Sequence, residues 1–130
     1  MIFILEDNED RIEHFKLALG NLECHFERTV PEAINWLSEH MASVMLCSLD
    51  NDLYVPGFQG DEGEGWQLCE WILANMQKVP IIVHSTNDHA SVKMEFACSD
   101  AGWPFQRIVP YDSFEWIGEI WIETIKETLS

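Results

Sequence analysis

At 130 residues, with 47% hydrophobic content and six Trp, the chain carries enough apolar mass for one globular domain over residues 1–130 and too much for a disordered segment. Its 23 Asp and Glu against seven Lys and Arg leave a formal charge of −16, a surface that repels nucleic acid and anionic membranes and attracts cations. No apolar run approaches the ~20 residues of a membrane span, and no basic segment precedes the opening Met1-Ile2-Phe3-Ile4-Leu5, which argues against a secretory signal and for the cytoplasm.

Met1 to Leu5 is a continuous apolar run, the pattern of a buried parallel strand, and Glu6-Asp7-Asn8 follows at once. From Glu9 to Leu19 the residues Ile12, Phe15 and Leu19 mark one helical face, and Gly20 stops the helix. Glu23 to Glu27 is a more polar strand, suited to a sheet edge. Pro31 opens a second helix with Ala33, Ile34 and Leu37 inward. The central strand, Val44 to Leu49, ends in Asp50, with Asp52 two residues further on.

Leu53 to Glu64, with Pro56, Gly57, Gly60 and Gly63, is longer than the roughly 2–6 residues of an ordinary βα connection and reads as a mobile flap. Helical periodicity resumes from Gly65 to Asn75 through Trp66, Leu68, Cys69 and Ile72. Pro80 precedes a fourth buried strand, Ile81-Ile82-Val83, which ends in His84-Ser85-Thr86-Asn87-Asp88. A helix over Ala90–Cys98 closes near Gly102, and Gln106 to Val109 is a short fifth strand before Pro110-Tyr111. Asp112 or Ser113 is expected to cap a last helix running to Thr128. The cysteines, Cys24, Cys47, Cys69 and Cys98, are widely spaced with no C-x-x-C pair, and read as buried thiols.

Five strands alternating with five helices predict an α/β fold with a doubly wound parallel sheet. Strands one, three and four are the most apolar, so they belong inside, which gives the order 2-1-3-4-5. The crevice where ligands bind in such a sheet then lies between strands one and three, beyond their carboxyl ends. Glu6, Asp7 and Asp50 meet there, and carboxylates so placed repel one another unless a cation sits among them. Oxygen ligands in an open site suit Mg²⁺ or another divalent cation, which commonly bridges to phosphate. Glu6, Asp7 and Asp50 are therefore the candidate metal ligands.

Neither an EF-hand nor a Walker loop fits. Tyr54 and Val55 occupy positions where the former needs a ligand and a glycine, and the glycine-rich stretch lacks Gly-Lys-Ser/Thr. His84 and Ser85 should flank Asp50, offering an imidazole for proton transfer and a hydroxyl for a phosphoryl oxygen. Asp52 and His84 are candidate acid/base residues beside Asp50. Asn87 either orients a ligand or caps the next helix, and Arg107 brings a guanidinium suited to phosphate. The other histidines, His14, His25, His40 and His89, are assigned packing roles. The last helix carries Trp116, Ile117, Ile120, Trp121, Ile122 and Ile125 on more than one face, enough to pack on the sheet and bury a protein partner or a second copy.

Ile4-Leu5-Glu6-Asp7, Asp50 after the third strand and Ser85 or Thr86 after the fourth resemble response-regulator receiver domains over nearly the whole chain. The resemblance implies a flavodoxin-like fold and Mg²⁺ held by Glu6, Asp7 and Asp50, with Asp50 as phosphoacceptor from a phosphodonor. Val109 stands before Pro110 where receivers carry Lys, and the loop after Asp50 is longer than theirs. Asp50-Asn51-Asp52-Leu53 with His84-Ser85-Thr86-Asn87 is more similar to cyclic-phosphate processing receiver domains, except that Asn51 replaces a His. That resemblance implies a small phosphate ester as ligand and a metal-dependent phosphoesterase as the activity.

Overall fold

In the computed structural model, which describes residues 1–130, five parallel strands form one sheet: β1 (Ile2–Leu5), β2 (Cys24–Glu27), β3 (Leu46–Leu49), β4 (Ile81–His84) and β5 (Phe105–Ile108). The order β2-β1-β3-β4-β5 is the predicted one, with the three fully buried strands inside. Helices α1 (Glu9–Leu19), α2 (Val30–His40), α3 (Gly65–Asn75), α4 (Asp88–Ala101) and α5 (Ile122–Leu129) follow the strands in turn. None is long and apolar enough to cross a membrane.

The strands alternate their side chains between two cores. Phe3, Leu5, Cys47, Leu49, Ile81 and Val83 pack against α2, α3 and α4. Ile2, Ile4, Leu46, Ile82 and Ile108 pack with Phe15 and Leu19 of α1 and with the chain's last helical segment. Cys69 and Cys98 lie 3.8 Å apart between α3 and α4 as free, buried thiols. Helices α1, α2 and α4 start where the sequence supplies a cap. The Asn8 and Asn87 side chains accept the Arg11 and Ala90 N–H groups, while Thr29 and Glu32 bond each other at the start of α2.

The end of the chain departs from expectation. Neither Asp112 nor Ser113 caps the last helix; residues 112–114 form a turn whose Ser113 and Phe114 N–H groups bond the Glu115 carboxylate. The helix then passes through a π-turn, Ile117–Trp121, before α5. The i→i+5 spacing of a π-turn brings Trp116 over Trp121 and Ile117 over Ile122. Trp116, Ile117, Trp121, Ile122 and Ile125 are consequently all buried in one core, and of the six apolar residues only Ile120 is exposed. The π-turn folds both stripes onto the sheet, so five of the six residues pack within the chain.

The loop after β3 is anchored, not free as the flap reading had it. Asp52 and Glu64 pair across its base, Gly65 N–H bonds Asn51 O at 2.8 Å, and Val30 N–H bonds Glu62 O at 2.7 Å. Buried Asn51 closes the base. Its amide donates to Asp52 and Glu64, and its carbonyl accepts the Trp66 N–H. At Gly65, a Cβ would stand 1.9 Å from the Asp50 carbonyl oxygen, so α3 can start there only without a side chain. Gly65→Ala should lower unfolding stability by about 3 kcal/mol, measured by chemical denaturation; a loss within experimental error would show that the two backbones can separate freely.

Candidate functional site

β1 and β3 pair Leu5 with Leu49, and β3 and β4 pair Leu49 with Val83. One step further along the same register stand Glu6, Asp50 and His84, the Asp50 N–H bonding Leu5 O at 3.0 Å. Two-residue alternation turns all three toward the face covered by α1 and the π-turn. One ligand atom from each lies within 4.8 Å of the others, and all three residues are buried. Asp7 sits outside this group, at the rim, where its carboxylate accepts the Tyr54 N–H at 2.9 Å and its carbonyl holds Arg28.

A buried hydrogen-bond chain runs back from the row. Trp121 Nε1–H donates to Ser48 Oγ at 3.0 Å, so the Ser48 proton is left for His84 Nδ1 at 2.7 Å. His84 Nε2–H then donates to Glu6 Oε1 at 3.1 Å. This is the tautomer in which every donor has an acceptor. Burial pushes His84 down to about 4, so the ring is neutral at pH 7 and its two nitrogens are both engaged. The same burial pushes Glu6 up to about 7, against the pull of Arg11 and the Asn8 N–H. Asp50 rises to about 8 through burial and the charge of Glu6, opposed in part by His84 and the Asn51 N–H.

Arg11 is the residue that the sequence reading overlooked. Its Nη1 lies 3.6 Å from Glu6 Oε1 and 3.8 Å from Asp50 Oδ2, and its guanidinium stands 5.4 Å over the Trp116 ring. The signal was present, since a basic residue one turn into the first helix after an acidic strand end can reach back over it. Ser48 was legible too, as a hydroxyl inside an apolar strand.

At the outer edge, Asn87 caps the next helix, one of the two parts expected of it. Its carbonyl caps α4, and its amide donates to both Asp52 oxygens at 3.3 Å. Ser85 is buried and its Oγ accepts the Asn87 N–H at 3.0 Å, which leaves the hydroxyl proton unassigned. Arg107 spends Nη2 on Ser85 O and on Asp88 Oδ1, and its Nε is buried without an acceptor. It braces the β4 end and does not reach across the acidic row. Val109, at the position before Pro110, is exposed. His14 stacks on Phe114, and His25 and His40 sandwich Trp36, as packing roles require; His89 is exposed.

The family model for the cyclic-phosphate processing receiver domain matches residues 1–100. No curated protein matches the sequence. Among solved structures, the non-phosphorylated HemR receiver domain from Leptospira biflexa is similar at a TM-score of 0.73 and 20% identity, covering 99% of this chain and 93% of that one. A CheY-like response regulator receiver domain from Methanospirillum hungatei JF-1 gives 0.70 and 18%, covering 98% and 94%. The signal receiver domain of a Syntrophus aciditrophicus histidine kinase gives 0.69 and 20%, covering 98% and 88%. At these identities the likeness establishes the receiver fold.

The raised carboxyls make stability depend on pH in a definite sense. Glu6 and Asp50 bind protons more tightly folded than unfolded, so their contribution is complete below about pH 4 and is lost as pH rises through about 7 and 8. His84 acts oppositely, but only between about 4 and its ordinary 6.5. In metal-free buffer, unfolding stability should therefore fall by about 1–2 kcal/mol between pH 6.5 and 8.5. Urea denaturation at the two pH values checks this; a flat or rising profile would mean that the row is already ionised.

Proposed function

The chain belongs to the cyclic-phosphate processing receiver domain family, and from that membership we propose that its crevice binds a divalent cation and a phosphate ester, with hydrolysis of a cyclic phosphate as the reaction. One observation carries this reading: two buried carboxylates, Glu6 and Asp50, share one row with ligand oxygens within 4.8 Å of each other, close enough for one cation to bind both. The donor set fits a hard cation. Glu6 and Asp50 would hold it, with Asp7 beside them, and Mg²⁺ is the expected ion. Such an ion polarises a phosphoryl oxygen and offsets the charge that builds on it.

The chain's own groups divide the remaining work. Asp52 lies on the exposed edge with its carboxylate steadied by the Asn87 and Asn51 amides, as a base for an attacking water requires. The Ser85 hydroxyl, with its proton free, donates to a phosphoryl oxygen. His84 has no solvent-facing nitrogen, so its part is to hold Glu6 in place and not to exchange protons with the substrate.

A second reading makes Asp50 the phosphoacceptor of a signalling receiver. It is favoured by Asp50 Oδ2, which faces Arg11 and carries no hydrogen bond, as a nucleophilic oxygen would. Turnover separates the two, since a phosphoacceptor is modified once per chain while an esterase releases product continuously.

Thermal unfolding with and without millimolar Mg²⁺, on wild type and Asp50→Ala, tests the premise. Wild type should gain about 2.7 kcal/mol at a hundredfold excess over Kd, and the variant should gain nothing. If wild type then opens no 2′,3′- or 3′,5′-cyclic nucleotide, hydrolysis is refuted; if it shows no Mg²⁺ response, the cation site is.

A further inference from the structure

Arg11 holds its guanidinium in the crevice without spending it. Both neighbouring carboxylate oxygens stand beyond hydrogen-bond distance, at 3.6 and 3.8 Å, and the side chain donates no hydrogen bond within the protein. It is a quarter exposed, anchored on one side by the charge of Glu6 and Asp50 and on the other by the Trp116 ring. Five donors in a planar fork are thus aimed by their surroundings and left open at the mouth of the row.

The other arginines are committed. Arg28 donates to Asp7 O and Glu9, and Arg107 to Ser85 O and Asp88. Lys16 pairs with Glu13, and Lys93 lies 3.3 Å over the Trp66 ring. In a chain of charge −16, a phosphoryl group entering an acidic crevice meets net repulsion unless a cation stands at the point of contact. Val109, between β5 and Pro110, brings no cationic side chain to serve.

We infer that Arg11 is the anion-binding residue of this crevice, donating two parallel N–H bonds to oxygens of a bound phosphoryl group. This rests on the phosphate-site reading above. While Glu6 and Asp50 are unmatched, they hold the guanidinium by charge alone. A divalent cation held by Glu6 and Asp50 would offset their charge and leave the Arg11 N–H groups for the phosphoryl oxygens, so one arginine can stand beside two acids and still recognise an anion. Residue and charge, not the strand-end lysine of ordinary receivers, then set specificity for phosphate.

The test is a titration of inorganic phosphate in saturating Mg²⁺, followed by ³¹P NMR, on wild type, Arg11→Gln, Arg11→Lys and Lys126→Gln. Mg²⁺ alone is titrated in parallel by calorimetry. Arg11→Gln should bind phosphate at least about tenfold more weakly, the scale of a charged hydrogen-bonded pair, without binding Mg²⁺ more weakly. Arg11→Lys, which keeps the charge but not the fork, should fall between. Lys126→Gln, which removes the same charge from the last turn of α5, should match wild type. Phosphate binding retained in Arg11→Gln overturns the inference and leaves the phosphate site standing. A wild type that binds Mg²⁺ but no phosphate overturns both.

Discussion

Three ionisable side chains in a row at the ends of three buried strands set the terms for everything around them. Moving a carboxylate out of water costs several kcal/mol, and here two of them face each other. The structure offsets that cost from three directions: the Asn8 and Asn51 N–H groups, the His84 imidazole and the Arg11 guanidinium. None of these alone neutralises the row. A site held in partial balance is one that a cation can enter and complete.

The row also explains features far from its mouth. His84 can stay neutral and aim Nε2–H at Glu6 only if something donates to Nδ1, and Ser48 does so because Trp121 occupies its lone pair. Trp121 reaches Ser48 from the π-turn, whose extra residue sets Trp116 and Trp121 on the same face. The same turn places Trp116 under Arg11. The last helix, which lies outside the residues matched by the family model, is thereby part of the site's support and not an appendage.

On the opposite side of Asp50 the constraints are steric and structural. Gly65 admits the start of α3 against the Asp50 carbonyl, and Asn51 ties the long loop to that point with a fully used amide. Asn51 stands where relatives of this kind typically have His, so in this chain the position is a structural tie. Asp52, next along, stays exposed with its carboxylate held by the Asn51 and Asn87 amides.

By itself the sequence determined the fold, the strand order and the acids at the crevice, because these follow from local patterns: apolar runs, helical spacing, caps, and carboxylates directly after strands. It also located Asn87, through the coincidence of a cap residue with a strand end. Tertiary structure alone decided what those patterns leave degenerate. Register aligned Glu6 with Asp50 and His84 and moved Asp7 to the rim, since a shift of one residue turns a side chain to the other face. Packing turned the second apolar stripe of the last helix inward, because an i→i+5 turn cannot be read from hydrophobicity. Arg11 came over Asp50 by the docking of α1, since its spacing along the chain points back to Glu6 and says nothing of an acid on another strand.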